Sequence, residues 1–312
     1  MNRHRLLSVF RLFLSIVLLG TGIQQTVHAC ACGCGVFEVS TTAMLPTREG
    51  GMLSLEYDHQ GQGRNWRGSS PSSADNNGDK KIISEFFTLG YQHMLSRSWG
   101  LALSIPYTQR YFKVADDTTG DIMEFSHSSI GDVRFKGIYT GFSEDFSTGL
   151  TFGVKLPTGD FKYENFDPDV QIGSGSTDLL LGGYHVAPIA GSTKWNWFAN
   201  AELDLPVIHY TGYIPGSEVD AALGTYFNGW HLGPVKVAPT AQVLGTHRWS
   251  DSGDLAMAES TGFSRLLVAP GLELHAGPVR LSMDVGFPVY QYTTGDQLVA
   301  SQFYKVNVGY HF

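Results

Sequence analysis

The sequence predicts an all-β fold: a transmembrane antiparallel β-barrel of about twelve strands, preceded by a short cysteine-containing leader. Three observations predict it. In Phe303 to Phe312, Tyr304, Val306, Val308, Tyr310 and Phe312 fall on one face, and Phe303, Lys305, Asn307, Gly309 and His311 on the other. That is the period-two pattern of a strand with a different solvent on each side. The composition, with 37 Gly, 19 Phe and 14 Tyr, suits strands and turns. After residue 30 no apolar run approaches the roughly 18 to 20 residues that a membrane helix needs, so any crossing must be made by strands.

The N-terminus reads as a secretory signal peptide over residues 1–29: Arg3, Arg5 and Arg11, an apolar run from Leu12 to Leu19, then Val27-His28-Ala29. Its removal takes away three arginines and no acid, leaving 18 basic against 29 acidic residues, so the formal charge moves from −8 to −11. An acidic chain without a basic cluster argues against nucleic acid as a partner.

Residues 30–51 read as a periplasmic leader holding Cys30, Cys32 and Cys34. Small spacers let three thiols converge, and soft thiolates suit Cu(I) or zinc. The same residues also fit lipidation of Cys30, or a disulfide between two of them with one left over. No other cofactor is expected.

From Met52 to Phe312, runs of about ten residues alternate between apolar and polar faces, the signature of a single closed barrel without internal domain boundaries. Leu53, Leu55 and Tyr57 oppose Ser54, Glu56 and Asp58; a polar loop is expected over Gly61 to Lys80. Phe87, Leu89 and Tyr91 follow, then a turn at Ser96 to Trp99 and Leu101, Leu103, Ile105 and Tyr107. Val133, Phe135 and Tyr139 oppose Asp132, Arg134 and Lys136. Phe152, Val154 and Leu156 oppose Gly153 and Lys155, and a long loop spans Asp160 to Ser176.

Further runs cover Asp178 to Val186, Trp195 to Val207 with Glu202 and Asp204 inward, Val219 to Tyr226, Val235 to Val243, Arg265 to Leu274 and Val279 to Val289. In the last of these, Arg280, Ser282 and Asp284 face away from Leu281, Met283 and Val285. An even strand count leaves both termini on the periplasmic side. Leu55, Tyr91, Phe135, Leu156, Leu281 and Tyr310 are expected to face lipid. The expected lumen lining is Glu56, Asp58, Asp132, Arg134, Lys136, Lys155, Glu202, Asp204, Arg280 and Asp284, because charges in a barrel wall belong beside water or a partner.

Catalysis finds no support: there is no Gly-x-Ser-x-Gly elbow and no phosphate-cradling loop. The histidines form no HExxH or close pair, and Asp75-Asn76-Asn77-Gly78-Asp79 lacks the glycine position and bidentate acid of a calcium loop, so it reads as an exposed tip.

Two kinds of stretch carry a family likeness. The aromatic outer row ending in Phe312 resembles the closing strand of bacterial outer-membrane barrels, in which such an ending is the signal read by the barrel-assembly machinery. Ser129-Ile130-Gly131-Asp132-Val133-Arg134-Phe135-Lys136 and Gly153-Val154-Lys155-Leu156-Pro157-Thr158-Gly159-Asp160, with Leu103 to Tyr107 and Gly175 to Gly182, resemble the outer-membrane barrel family labelled for the MetA pathway of phenol degradation. The resemblance implies an outer-membrane channel or transporter whose partners are lipid and a small solute, possibly aromatic. The leader suggests the alternative of a metal-handling barrel, and a structural barrel without transport is the third reading.

Overall fold

The computed structural model describes residues 45–312 except 117, 210 and 211, and the backbone of Cys30–Ala31, which runs parallel to Gln297 and Leu298. The signal-peptide reading of residues 1–29, the side chain of Cys30, and Cys32 and Cys34 lie outside the described residues. So does most of the leader.

Eleven long elements form a closed ring: β1 (Gly50–Gly68), β2 (Asp79–Met94), β3 (Trp99–Ala115), β4 (Val133–Tyr139), β5 (Thr148–Leu156), β6 (Ser176–Pro188), β7 (Trp195–His209), β8 (Glu218–Phe227), β9 (Val235–Arg248), β10 (Phe263–Ala276) and β11 (Val279–His311). Each pairs antiparallel with the next, and β11 closes on β1. A ring of antiparallel pairs must hold an even number of crossings. The 33 residues of β11 resolve the parity: Val279 to Thr293 pairs with β10, and the remainder pairs with β1, also antiparallel. The element therefore doubles back, at Gly295 with φ +70°, and the amide of His311 returns to the carbonyl of Pro278 at 2.9 Å. Counted by crossings, the wall has the twelve strands expected.

Three shorter segments add to the ring: Ser70–Pro71 on β1, Ile122–Ile130 on β3 and Trp230–Leu232 on β9. Connections are short at one end, such as 95–98 and 277–278, and long at the other, such as 157–175 and 249–262. We call these the turn end and the loop end. Gly50 and Phe312 lie together at the turn end, where Gly51 and Phe312 exchange two backbone hydrogen bonds of 2.9 Å. A Cβ on Gly51 would stand 2.3 Å from the Phe312 ring, which lies over the glycine at the seam.

The outer face is apolar around the ring: Leu55, Leu89, Phe135, Leu156, Leu181, Leu223, Val268 and Tyr310 are all exposed. A continuous apolar surface of this extent on a closed barrel fits only a bilayer. Rings cluster at the turn end, where Trp99 meets Tyr139 at 4.8 Å and Trp195 meets Phe227 at 5.0 Å, forming an interfacial girdle. Toward the loop end the belt stops at Glu85, an outward carboxylate that accepts from Tyr57 Oη at 2.5 Å and contacts His59 Nδ1 at 2.7 Å.

Two readings change. The segment expected as a polar loop from Gly61 to Lys80 is mostly strand, because β1 continues to Gly68 and β2 begins at Asp79. There Gln62 and Asn65 face inward, and Gln62 Nε2 donates to the Leu298 carbonyl at 2.9 Å, so polarity marks a wall rising above the belt, not its end. The tip at Asp75 is exposed, but Asn77 and Asp79 are buried, with Asn77 donating to Asn65 Oδ1 at 3.0 Å.

Candidate functional site

Alternation sends every second side chain of each strand into the barrel; Glu56, Asp58, Arg134, Lys136, Lys155 and Asp204 line one cavity together with Asp132 from the loop above, Glu202 lines another, Asp284 is buried and Arg280 half-buried. They are not bare linings of a water-filled hole. Charge in a space of low dielectric is tolerated when paired, and these groups form networks.

On one wall Lys155 bridges Asp178 and Asp204, lying 3.1 Å from Asp204, which Arg134 approaches at 3.8 Å. Lys136 holds Glu202 through contacts of 2.6 and 2.5 Å. On the far wall Lys305 sits 2.9 Å from Glu56 and 3.5 Å from Asp58, and Gln242 donates to Asp284 at 3.1 Å. Near the turn end Arg280 reaches Glu273 at 3.6 Å. Beside them an apolar cluster of Phe198, Leu244, Leu267, Ala269 and Phe303 fills part of the interior, with the Arg265 guanidinium 4.6 Å above the Phe303 ring.

Asp132 has a different task. Its carboxylate accepts from the Gly159 amide at 3.0 Å and from the Ser174 amide and hydroxyl at 2.8 and 2.6 Å. Thr158 Oγ1 donates to the Gly131 carbonyl at 2.8 Å and accepts from the Val133 amide at 2.9 Å. The Gly-Asp and Pro-Thr-Gly stretches noted in the sequence thus meet and anchor one loop.

That loop, 157–175, folds inward. Phe166 and Val170 pack on Ile82, Phe112 and Leu298, and buried Arg110 donates to the carbonyls of Val170 and Gln171 at 2.6 and 3.0 Å. Tyr163 accepts from the Ile172 amide at 2.8 Å, and burial pushes its hydroxyl up to about 12. Two further loops are tied together: Asp251, in 249–262, accepts from Tyr213 Oη at 2.6 Å and the Gly216 amide at 2.7 Å, both in 212–217, and from Arg248 at 2.8 Å. Arg110, Phe166, Asp178 and Asp251 were absent from the expected lining. The apolar residues Phe161, Tyr163, Phe166 and Val170 inside a nominal polar loop were the available signal.

Between these loops and the turn end lie three cavities that share walls. One of about 290 Å³ at the loop end is lined by Phe161, Pro168, Ser174 and Tyr213. It shares Pro168, Ser174 and Tyr213 with a cavity of about 240 Å³, reaching from Glu56, Asp58 and Lys305 to Arg134, Lys155 and Asp204. A third, of about 100 Å³, is lined by Leu45, Pro46, Ile138, Tyr184, Asn200 and Glu202. Ser104, Arg134 and Lys136 line both the second and the third. No group of His, Cys, Asp and Glu among the described residues is arranged to hold a metal ion.

No family model matches the chain, and no curated protein matches it. Solved structures do. The COG4313 outer-membrane channel from Pseudomonas putida F1 superposes with a TM-score of 0.65 at 14% identity, covering 88% of this chain and 100% of that one. The β domain of the Bordetella autotransporter BrkA superposes with a TM-score of 0.51 at 11% identity, covering 85% of this chain and 100% of its own. With its closed antiparallel ring, apolar belt and charged interior, the chain has the fold of the bacterial outer-membrane β-barrels.

Proposed function

We propose that the protein is an outer-membrane channel that passes a small solute by stepwise occupancy of its lumen, not an open pore and not an enzyme. The observation that carries this reading is the series of three cavities sharing wall residues from the loop end to the turn end. Short turns belong to the periplasmic side of such barrels and long loops to the outside, which supports an inward order of the cavities and a periplasmic position for both ends of the barrel. Phe86, Pro106, Ile172 and Tyr213 among the polar groups of the middle cavity suit a solute with an apolar body and a polar end, in keeping with the aromatic label of the family that the motifs resemble.

The test is planar-bilayer conductance and liposome flux of the refolded protein, with and without residues 30–49. Small aromatic solutes should pass and disaccharides should not, and removal of Leu45 and Pro46 from the lower cavity should raise the flux. Absence of flux for every solute in both forms would end the channel reading.

Assembly gives a further prediction. Because Phe312 closes the seam on Gly51 and stacks 6.4 Å from Tyr91, its deletion should lower the amount of barrel in the outer membrane while export to the periplasm continues. Cell fractionation with heat-modifiable gel migration checks this; unchanged membrane levels would separate Phe312 from assembly.

A further inference from the structure

Above the apolar belt, on the outside of the wall, strand register sets cations side by side. Lys81 of β2 pairs with Lys113 of β3, and Lys113 with Glu124 of the Ile122–Ile130 segment. On the other flank Arg64 of β1 follows Gly63, where a Cβ would lie 4.0 Å from Lys81 Cγ. The neighbouring positions Ile82, Phe112 and Phe125 pack inward with Leu298, so Lys81, Lys113 and Glu124 point outward. Arg64 flanks the buried Asn65, is itself exposed, and holds its guanidinium 5.7 Å from the Trp66 ring. Lys81 stands four residues beyond Glu85, where the belt stops. That distance is roughly 14 Å along the strand, or about 10 Å of height at the tilt of such barrels, which puts the row in the polar headgroup layer.

The carboxylates near this row are already engaged or stand apart from it. Glu124 is held by Lys113 at 3.0 Å and feels Lys81 only at longer range. Glu85, below, is taken by Tyr57 and His59. Asp75, Asp116 and Asp121 lie beyond the strand ends, and Asp116 accepts from the amides of Thr118 and Thr119 at 2.9 and 2.8 Å. Among the described residues no carboxylate pairs with Arg64 or Lys81. Two neighbouring cations repel, so this pair is most stable with an anion between them.

We propose that Arg64, Lys81 and Lys113 form a docking row for the phosphorylated saccharide headgroup of an outer-leaflet glycolipid, with one phosphate bridging Arg64 and Lys81. Phosphate accepts from a guanidinium fork and an ammonium at once. A lipid fits better than a free ion because the same strands continue downward into the belt: Phe87, Leu89 and Tyr107 are exposed below the row, where acyl chains would lie. The inference goes beyond the channel reading and rests on it only for the loop end facing the outside of the cell.

Native mass spectrometry of the folded protein in detergent tests this, with three lipids titrated: rough lipopolysaccharide carrying its core phosphates, the same lipid dephosphorylated, and phosphatidylglycerol. The native chain is compared with Arg64→Gln, Lys81→Gln and the double variant, each shown folded by heat-modifiable migration. The native chain should bind the phosphorylated glycolipid on the order of ten-fold tighter than the other two lipids, and the double variant should lose that preference. Glu124→Gln, which releases Lys113, should keep or increase it. Excess inorganic phosphate should leave the complex intact. Equal binding of the phosphorylated and dephosphorylated forms, a preference that survives the double variant, or displacement by inorganic phosphate would overturn the proposal. Solute flux enters none of these measurements, so the channel reading stands or falls separately.

Discussion

Leu55→Arg should destabilise the barrel by about 2 to 4 kcal/mol, the cost of a cation near the bilayer midplane. Leu55 is 55% exposed, opposes Leu89 on β2 and Val308 on β11, and lies midway along an outward row that begins with Leu53 at the turn end and becomes polar at His59. Arg at Leu281 is the contrast. It shares the outward face, but it stands two residues past Val279 beside the 277–278 turn, where an arginine reaches the interface and costs about 0 to 1 kcal/mol. Guanidinium unfolding in phospholipid vesicles, followed by tryptophan fluorescence, should show a large shift for the first and a small one for the second. Equal shifts would mean that the belt has been placed at the wrong height.

Arg110→Met should release the inward loop and raise passage through the lumen several-fold. Hydrogen bonds to a charged donor each contribute about 1.5 to 3 kcal/mol, and the variant leaves the Val170 and Gln171 carbonyls without their guanidinium donor. Because β3 keeps its ladder to β2 and β4, the wall should survive while 157–175 becomes open to protease. Limited proteolysis of intact cells reads the first effect and bilayer conductance the second. A variant as resistant and as tight as the native protein would show that the Asp132 and Thr158 contacts and the packing of Phe166 and Val170 hold the loop without Arg110.

These residues also mark what sequence could and could not disclose. Alternation placed Leu55, Phe135 and Tyr310 outward and Lys155, Glu202 and Asp284 inward, because a strand has only two faces and one of them faces hydrocarbon. Height along the wall was not legible: the pattern is the same at Leu55 and Leu281, and only pairing to the turns separates them. Nor were partners. Lys136 and Glu202 are 66 residues apart, and their meeting depends on the register of three strand pairs and on two glycines, Gly153 and Gly182, that look unremarkable singly. The inward loop escaped notice because polar, glycine-containing segments are read as solvated, while Phe166 and Val170 become informative only when Ile82 and Phe112 lie opposite.

The seam between β1 and β11 fixes how this molecule can fold. Met52 pairs with His311, a sequence separation of 259 residues (311 − 52), whereas most other neighbours in the ring are joined by connections of under about twenty. Hairpins can form early and locally, but the closing pair must wait for all of them, since its loop-closure entropy is compensated only once the intervening sheet has curled. Until then two unsatisfied strand edges coexist in one chain, each a template for the wrong partner. Closure is therefore the pairing that must come last, and the glycine at position 51 with the ring of Phe312 laid over it stands where that pairing ends.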